Sequence, residues 1–199
     1  MDFTSHLWTS AVVFAATDID DLVLLTAFFA DTRLRRGAIV AGQFLGIGAL
    51  TAASAVAAIA ALAVPPHWPS LLGVVPLVMG SWKAWELVRD RADLDDEAVD
   101  ARRAASRPGS QVLIVAAVTI ANGGDNLSVY IPLFASNAAG VPVFVSVFAA
   151  MTALWCAAAH AFVKHPAGAA LMQRSGHMIL PVVLIALGGW ILWDARLLL

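Results

Sequence analysis

The chain has 199 residues, of which 60% are hydrophobic and 13% are charged, and its mean hydropathy is +0.81. These values exclude an ordinary soluble domain of this size, for which the apolar fraction is too high. The net charge of −2 and the lack of aromatic residues among the basic clusters argue against nucleic-acid binding. The sequence therefore predicts an all-α membrane protein.

Six apolar runs are each long enough to cross a bilayer, which takes about 20 helical residues per crossing. They are predicted over residues 4–30, 37–63, 69–88, 111–135, 141–163 and 177–195. The only long connection, residues 89–110, is interpreted as a solvated cytoplasmic connector, with a regulatory metal-sensing or docking role as the alternative. Almost nothing is left for a soluble domain, so residues 1–199 are predicted to form one transmembrane domain.

The basic residues predict the orientation of these helices. Eleven of the twelve Lys and Arg residues lie in or beside the odd-numbered connections, and the exception is Arg196. Cytoplasmic ends of membrane helices retain positive charge, so both termini are expected outside. The first segment has no Lys or Arg before its apolar run and carries acids within it, which favours a retained helix over a cleaved signal.

The first predicted helix carries Asp18, Asp20 and Asp21 near its middle. A carboxylate at the bilayer centre costs at least ~2.5 kcal/mol, so these groups must face protein, water or a cation. In an unbroken helix Asp18 and Asp21 share a face, with Thr17 nearby, while Asp20 points elsewhere. Local unwinding would let all three converge.

The second predicted helix contains one strongly polar group, Gln43, in the sequence AGQFLG. A lone Gln in a membrane helix more often makes an interhelical hydrogen bond than binds a ligand, and we favour that interpretation. Gly42, Gly46 and Gly48 lie beside it. They are expected to permit close contact with another helix.

The fourth predicted helix combines two amides, two glycines and a carboxylate in the sequence NGGDN, residues 122–126. Adjacent glycines weaken a helix and free backbone carbonyls. Pro132 is expected to bend this helix further. Discontinuous helices of this kind offer carbonyl oxygens and helix ends to ions near the membrane midplane.

The two halves of the chain resemble each other. At an offset of 105 residues, TDIDDLVLLTAFFA (17–30) aligns with NGGDNLSVYIPLFA (122–135), which pairs Asp20 with Asp125. A second echo, at an offset of 108, relates the third helix to the sixth through a glycine and two tryptophans: Gly80, Trp82 and Trp85 with Gly188, Trp190 and Trp193. The alternative is a chance alignment of two apolar sequences.

An odd number of helices per half makes successive halves enter the membrane from opposite sides. The sequence therefore predicts a 3+3 inverted repeat, an architecture of many secondary transporters. Repeat A covers about residues 4–88 and repeat B about residues 111–195.

The intramembrane polar groups form an oxygen-rich set suited to a divalent cation. The predicted ligands are Asp18, Asp20, Asp21, Asn122, Asp125 and Asn126, with Thr17 and Gln43 in support. The alternative is a buried polar network that holds the helices together or relays protons without metal. No cofactor is expected, and the sequence has neither a Walker-type motif nor a His-Glu-x-x-His motif, so ATP hydrolysis and an enzymatic role are not predicted.

Four segments, in chain order, resemble the cadmium resistance transporter family of the LysE superfamily: TDIDDLVLLTAFFA, AGQFLG, GVVPLVMGSWKAW and ANGGDNLSVYIPLFA. The resemblance implies a multi-pass protein of the bacterial plasma membrane that moves divalent heavy-metal ions outward. It implies a role for seven of the residues named above: Thr17, Asp20, Asp21, Gln43, Asn122, Asp125 and Asn126. Asp18 is added from its own chemistry.

The ligand chemistry qualifies the identity of the ion. An all-oxygen set with no cysteine beside it suits manganese, magnesium or calcium better than soft cadmium. The single Cys156 cannot build a thiolate cluster within one chain.

The predicted mechanism is alternating access coupled to proton uptake. Moving a divalent ion outward against 100 mV costs roughly 4.6 kcal/mol, and a carboxylate that releases metal can take up a proton. The alternative is a LysE-type exporter of amino acids or other small solutes, but a zwitterion would want a cationic group and none lies near the motifs. The expected partners are the lipid bilayer, the cation and protons. A homodimer stays open, because six short helices enclose little volume.

Overall fold

The computed structural model describes residues 3–62, 74–89 and 111–164, together with the single positions 185 and 189. This part of the chain is helical and contains no strand. Arg36–Ala61 and Ala138–Lys164 are long and apolar enough to cross a membrane, and the bent pair Gln111–Asn122 and Gly124–Ser136 is a third candidate. An all-α protein with membrane-spanning helices is therefore confirmed, at two to three candidate spans in these residues.

Three parts of the sequence interpretation lie outside the described residues. They are the connector 89–110, the sixth predicted helix apart from positions 185 and 189, and the Gly188, Trp190 and Trp193 half of the second echo.

Seven α-helices and one 3-10 turn follow one another in the described ranges. They are α1 (Phe3–Thr17), α2 (Ile19–Ala30), α3 (Arg36–Leu62), α4 (Val74–Arg89), α5 (Gln111–Asn122), α6 (Gly124–Ser136), the turn Ala138–Gly140 and α7 (Val141–Lys164). The first and fourth predicted helices are thus each two helices, α1 with α2 and α5 with α6. The discontinuity predicted for the fourth helix is confirmed, and the first helix is also interrupted at its acidic motif.

The two breaks have nearly the same backbone conformation. Asp18, between α1 and α2, has φ −103° and ψ 21°, and Gly123, between α5 and α6, has φ −78° and ψ 22°. Asp side chains compete with the backbone for hydrogen bonds, and Gly has a low helix propensity, so both residues interrupt helices readily. The α5–α6 axis bends by 69°. Pro132 causes no second break, since α6 continues past it to Ser136.

The hydrogen bonds around the breaks also correspond. Asp18 N–H donates to the Phe14 carbonyl at 2.9 Å, and Leu22 N–H donates to the Asp18 carbonyl at 3.3 Å. Exactly 105 residues later the pattern recurs. Gly123 N–H donates to the Thr119 carbonyl at 2.9 Å, and Leu127 N–H donates to the Gly123 carbonyl at 3.2 Å.

Glycines let α3 pack tightly along α5. A Cβ added at Gly42 would lie 2.6 Å from Val115 Cβ, and one added at Gly46 would lie 2.6 Å from Thr119 Cβ. These contacts advance in the same direction along both helices, so α3 and α5 run parallel. The expectation of close contact is confirmed for Gly42 and Gly46, whereas Gly48 has nothing within 4 Å.

Aromatic rings join α1 and α2 to α7. His6 contacts Phe144 with ring centroids 5.4 Å apart, and Phe14 contacts Phe148 at 5.5 Å. Further along, Phe29 of α2 contacts His160 at 5.3 Å. These pairs also advance in one direction, so each broken helix lies parallel to one long helix.

The starts of α3 and α5 are tied together on one face of the bundle. Gln111 Oε1 accepts from Arg35 N–H at 3.1 Å, and Gln111 Nε2 donates to the Arg33 carbonyl at 3.0 Å. Arg33 also pairs with Asp31 at 2.8 Å, and that carboxylate raises the pKa of the exposed guanidinium. This face therefore carries the basic loop that precedes α3.

Candidate cation site

The three carboxylates of the first break hydrogen-bond to the two amides of the second. Asn122 Nδ2 donates to Asp20 Oδ2 at 3.1 Å and to Asp21 Oδ1 at 3.0 Å. Asn126 Nδ2 donates to Asp18 Oδ1 at 2.8 Å. The interruption at Asp18 thus lets side chains that an unbroken helix would send to different sides reach one neighbouring element, the α5–α6 pair.

Asp18 is completely buried at the point where α1 ends. Its Oδ2 accepts from the Tyr130 hydroxyl at 2.7 Å and from the Thr17 hydroxyl at 3.0 Å. Its main-chain carbonyl accepts from Trp155 Nε1 at 2.6 Å. Helix α7 therefore supplies a donor to a carbonyl at the break, while α6 supplies donors to the side chain.

Asp21 is joined to the second and fourth predicted helices through Gln43. Gln43 Nε2 donates to Asp21 Oδ2 at 2.7 Å, and the Thr119 hydroxyl donates to Gln43 Oε1 at 2.7 Å. The predicted interhelical hydrogen bond of Gln43 is confirmed, and it places Gln43 within the same network as the carboxylates.

Within the described ranges, the side chains of Asp18, between α1 and α2, and Asp21, on α2, accept hydrogen bonds from uncharged donors only. Asp18 and Asp21 are 0% and 2% exposed, and their side chains accept from amides and hydroxyls. Asp125 is also 2% exposed and lies within electrostatic range of Asp21. Buried carboxylates are costly without a compensating charge. The electrostatics of the site therefore favour a cation.

The described residues do not hold a ready coordination sphere. Across residues 3–62, 74–89 and 111–164, no group of three or more His, Cys, Asp or Glu side chains could hold a metal ion. Amide and hydroxyl donors occupy oxygens of Asp18 and Asp21 instead. One acceptor is left over, since the buried Asn126 Oδ1 has no hydrogen-bond partner in this part of the chain. An amide oxygen of this kind suits a hard divalent cation.

The single cysteine, Cys156, is buried on α7. It is 5% exposed, follows Trp155 in the chain, and lies within electrostatic range of Asp21. Oxygen atoms still dominate the set, and Cys156 belongs to no group of three or more His, Cys, Asp or Glu side chains that could hold a metal ion in the described residues.

Three participants were not predicted from the sequence: Tyr130, Thr119 and Trp155. Tyr130 is four residues after Asn126 and Thr119 is three before Asn122, so helical spacing could have placed each on the face of a predicted ligand. Trp155 had no such signal. It belongs to another helix and acts on a backbone carbonyl.

The comparison with protein families gives one match over nearly the whole chain. The model described as Cadmium resistance transporter matches residues 14–198, a range that includes both breaks. The comparisons with curated proteins and with solved structures found no match.

Proposed function

Because the chain belongs to the cadmium resistance transporter family, we propose that it exports divalent metal ions through a site between its two broken helices. The observation that carries this proposal is the pair of buried carboxylates, Asp18 and Asp21, whose side-chain hydrogen bonds among the described residues come only from uncharged donors. Ionisable groups within a membrane bundle mark ion or proton pathways. A divalent ion would supply the charge that these donors lack.

The proposed ligands come from both halves of the chain. They are Asp18, Asp20 and Asp21 from the first half and Asn122, Asp125 and Asn126 from the second, with Thr17 and Gln43 in support. An amide presents either N–H donors or a carbonyl acceptor, depending on its orientation. As a cation enters, the Asn122 and Asn126 amides would turn their oxygens towards it, so the carboxylates exchange hydrogen bonds for ion contacts.

The proposed architecture is six transmembrane helices in a 3+3 inverted repeat with both termini outside. Such a repeat exchanges helix one with helix four and helix two with helix five. The pair formed by α1–α2 and α7 then corresponds to the pair formed by α5–α6 and α3, and both pairs run parallel. The corresponding breaks at Asp18 and Gly123 support this arrangement further.

Neighbours of the breaks correspond as well. Trp155 of α7 contacts Asp18, and Leu50 of α3 lies against Gly123. The offset is 105 residues both from Leu50 to Trp155 and from Asp18 to Gly123. This correspondence supports a repeat that includes helices two and five.

The proposed mechanism is alternating access, in which the two helix pairs rock about the site. Outward movement of a divalent ion against 100 mV requires roughly 4.6 kcal/mol. Proton uptake supplies a driving force, because carboxylates that lose a metal ion can bind protons in its place. We place the protein in the bacterial plasma membrane as a multi-pass transporter.

The test is transport of Mn²⁺ and Cd²⁺ in proteoliposomes with and without a pH gradient. We expect cation movement that an opposing proton gradient accelerates. Equal rates of cation movement with and without the gradient would refute proton coupling. The absence of cation movement under any condition would contradict the proposed function. The alternative, export of amino acids or other small solutes, is tested in the same vesicles with a zwitterionic solute, for whose carboxylate the site residues offer no cationic group.

A further inference from the structure

Two hydroxyl groups on α3, those of Thr51 and Ser54, are buried and make no hydrogen bond within the described residues. Thr51 is 7% exposed and Ser54 is 0% exposed. Hydroxyls inside helices commonly bond to the carbonyl of the preceding turn. Ser10, Thr26 and Thr152 do so in this protein. Thr51 and Ser54 therefore turn their hydroxyls away from their own helix.

Both hydroxyls lie on the face of α3 that carries Leu50, and α3 packs along α6. Ser54 is one turn after Leu50, which lies against Gly123, and one turn before Ala58. Leu50 and Ala58 belong to one core cluster with buried residues of α6. Thr51 precedes Ser54 by three residues and so shares its face.

A third unsatisfied oxygen belongs to α6 itself. Asn126 is 2% exposed, and its Nδ2 donates to Asp18, but its Oδ1 has no partner in the described ranges. A buried polar atom without a partner costs free energy and calls for an explanation. In the described part of the chain, all three such side-chain atoms belong to the packed pair α3 and α6.

We propose that Thr51, Ser54 and the Asn126 carbonyl oxygen form a second, uncharged site that takes a hydrated divalent cation on its way to or from the carboxylates. This inference rests on the proposed function. Asn126 connects the two sites: while its nitrogen contacts Asp18, as in this structure, its oxygen is left for the second site, and a turned amide would present that oxygen to an ion at the carboxylates. Neutral oxygens replace part of a hydration shell and still release the ion, as a transit site requires.

The position of Thr51 and Ser54 along α3 is consistent with a site between the carboxylates and the membrane face opposite the basic loop. Gln43, which contacts Asp21, is eight residues before Thr51, and this separation is about 12 Å along a helix. The direction leads away from the basic loop at the start of α3. The second site would thus lie between the carboxylates and the face opposite that loop.

The test uses the Thr51→Val and Ser54→Ala double variant, with Mn²⁺ as the probe. We expect its Mn²⁺ affinity, measured by calorimetry, to match that of the unmodified protein. The initial transport rate in proteoliposomes should fall by about tenfold, because a transiting ion loses two oxygen partners. The matched control is Ser146→Ala, which removes an exposed hydroxyl bonded to its own helix at Pro142 and should leave the rate unchanged.

Three outcomes would overturn the inference. They are a wild-type rate in the double variant, an equal loss of rate in Ser146→Ala, and a loss of Mn²⁺ affinity as large as the loss of rate. The Thr51→Ser and Ser54→Thr double variant keeps both hydroxyls and should transport Mn²⁺ at the unmodified rate. A low transport rate in this variant, once shown to be folded, would also contradict the inference. If the double variant does not fold, the two single variants are judged by the same criteria.

Failure of the proposed function would look different from failure of this inference. In that case the unmodified protein would bind no Mn²⁺, or Asp18→Asn would bind it as well as the unmodified protein does.

Discussion

The breaks at Asp18 and Gly123 have nearly the same backbone conformation but carry different side chains. Their dihedral angles and flanking hydrogen bonds correspond at an offset of 105 residues. One break carries a fully buried carboxylate, followed by two more acids. The other carries a glycine between an amide and a second glycine. The comparison teaches that two breaks of matched geometry differ in content, since one provides most of the charge and the other provides amides and space.

Contacts between the helices differ in the same way. The hydrogen bond between Gln43 and Thr119 corresponds, at the offset of 105, to the ring contact between Phe148 and Phe14. Equivalent positions are therefore polar on the α3–α5 side and aromatic on the α1–α7 side. The polar side contacts Asp21, so α3 and α5 supply extra hydrogen-bonding capacity to the acids that follow the first break.

The largest effect should come from neutralising the first break with Asp18→Asn. The substitution keeps the shape of the side chain and removes a buried charge, so Mn²⁺ affinity should fall at least about thirtyfold by calorimetry. The control is Asp31→Asn, which makes the same chemical change in the loop beside Arg33 and should leave the affinity unchanged. Equal affinities for Asp18→Asn and the unmodified protein would show that the charge of this break is not used.

The close packing of α3 against α5, the helix that precedes the second break, is tested by Gly42→Ala. A Cβ there would lie 2.6 Å from Val115 Cβ and 2.7 Å from the Val112 carbonyl oxygen. Overpacking against backbone should destabilise the protein by about 1–3 kcal/mol, measured by thermal unfolding in detergent. Gly48→Ala is the matched control, because nothing lies within 4 Å of that Cβ, and it should be neutral or stabilising. Equal stabilities of the two variants would contradict the tight α3–α5 contact.

The second break itself is tested by comparing Gly123→Ala with Gly124→Ala. A Cβ at Gly123 would overlap a terminal carbon of Leu50, whereas one at Gly124 meets nothing within 4 Å. We expect Gly123→Ala to destabilise the protein by about 1 kcal/mol and Gly124→Ala to have no such cost. Adding Leu50→Ala should relieve the cost of Gly123→Ala. If Leu50→Ala lowers the stability of Gly123→Ala further instead, contact with Leu50 is not the reason that position 123 requires glycine.

The smallest effect concerns the donor at the first break. Trp155→Phe removes the hydrogen bond to the Asp18 carbonyl and retains a ring beside Phe14, so stability should fall by about 1 kcal/mol. Trp8→Phe is the control, since Trp8 is 74% exposed. An identical unfolding temperature for Trp155→Phe and the unmodified protein would contradict a role for this bond.

The sequence indicates where the two helices are interrupted, but not every contact made at the interruptions. The charges and glycines near Asp18 and Gly123 are visible because both are unusual in apolar helices, and each does interrupt a helix. Pro132 lies inside α6, which runs on to Ser136, so the break in this segment lies at Gly123. The role of Trp155 could not be predicted from the sequence, because Trp155 donates to a main-chain carbonyl of a residue 137 positions away.

The central claim is that the two breaks form one cation site, and a mutant cycle of Asp21→Asn and Asp125→Asn tests it most directly. Mn²⁺ affinity would be measured by calorimetry for both single variants, the double variant and the unmodified protein. We predict that each single substitution weakens binding and that the double variant loses less than the sum of the two, because residues of one site do not act independently. Full affinity in Asp125→Asn alongside weak binding in Asp21→Asn would contradict the claim and confine the site to the first half of the chain.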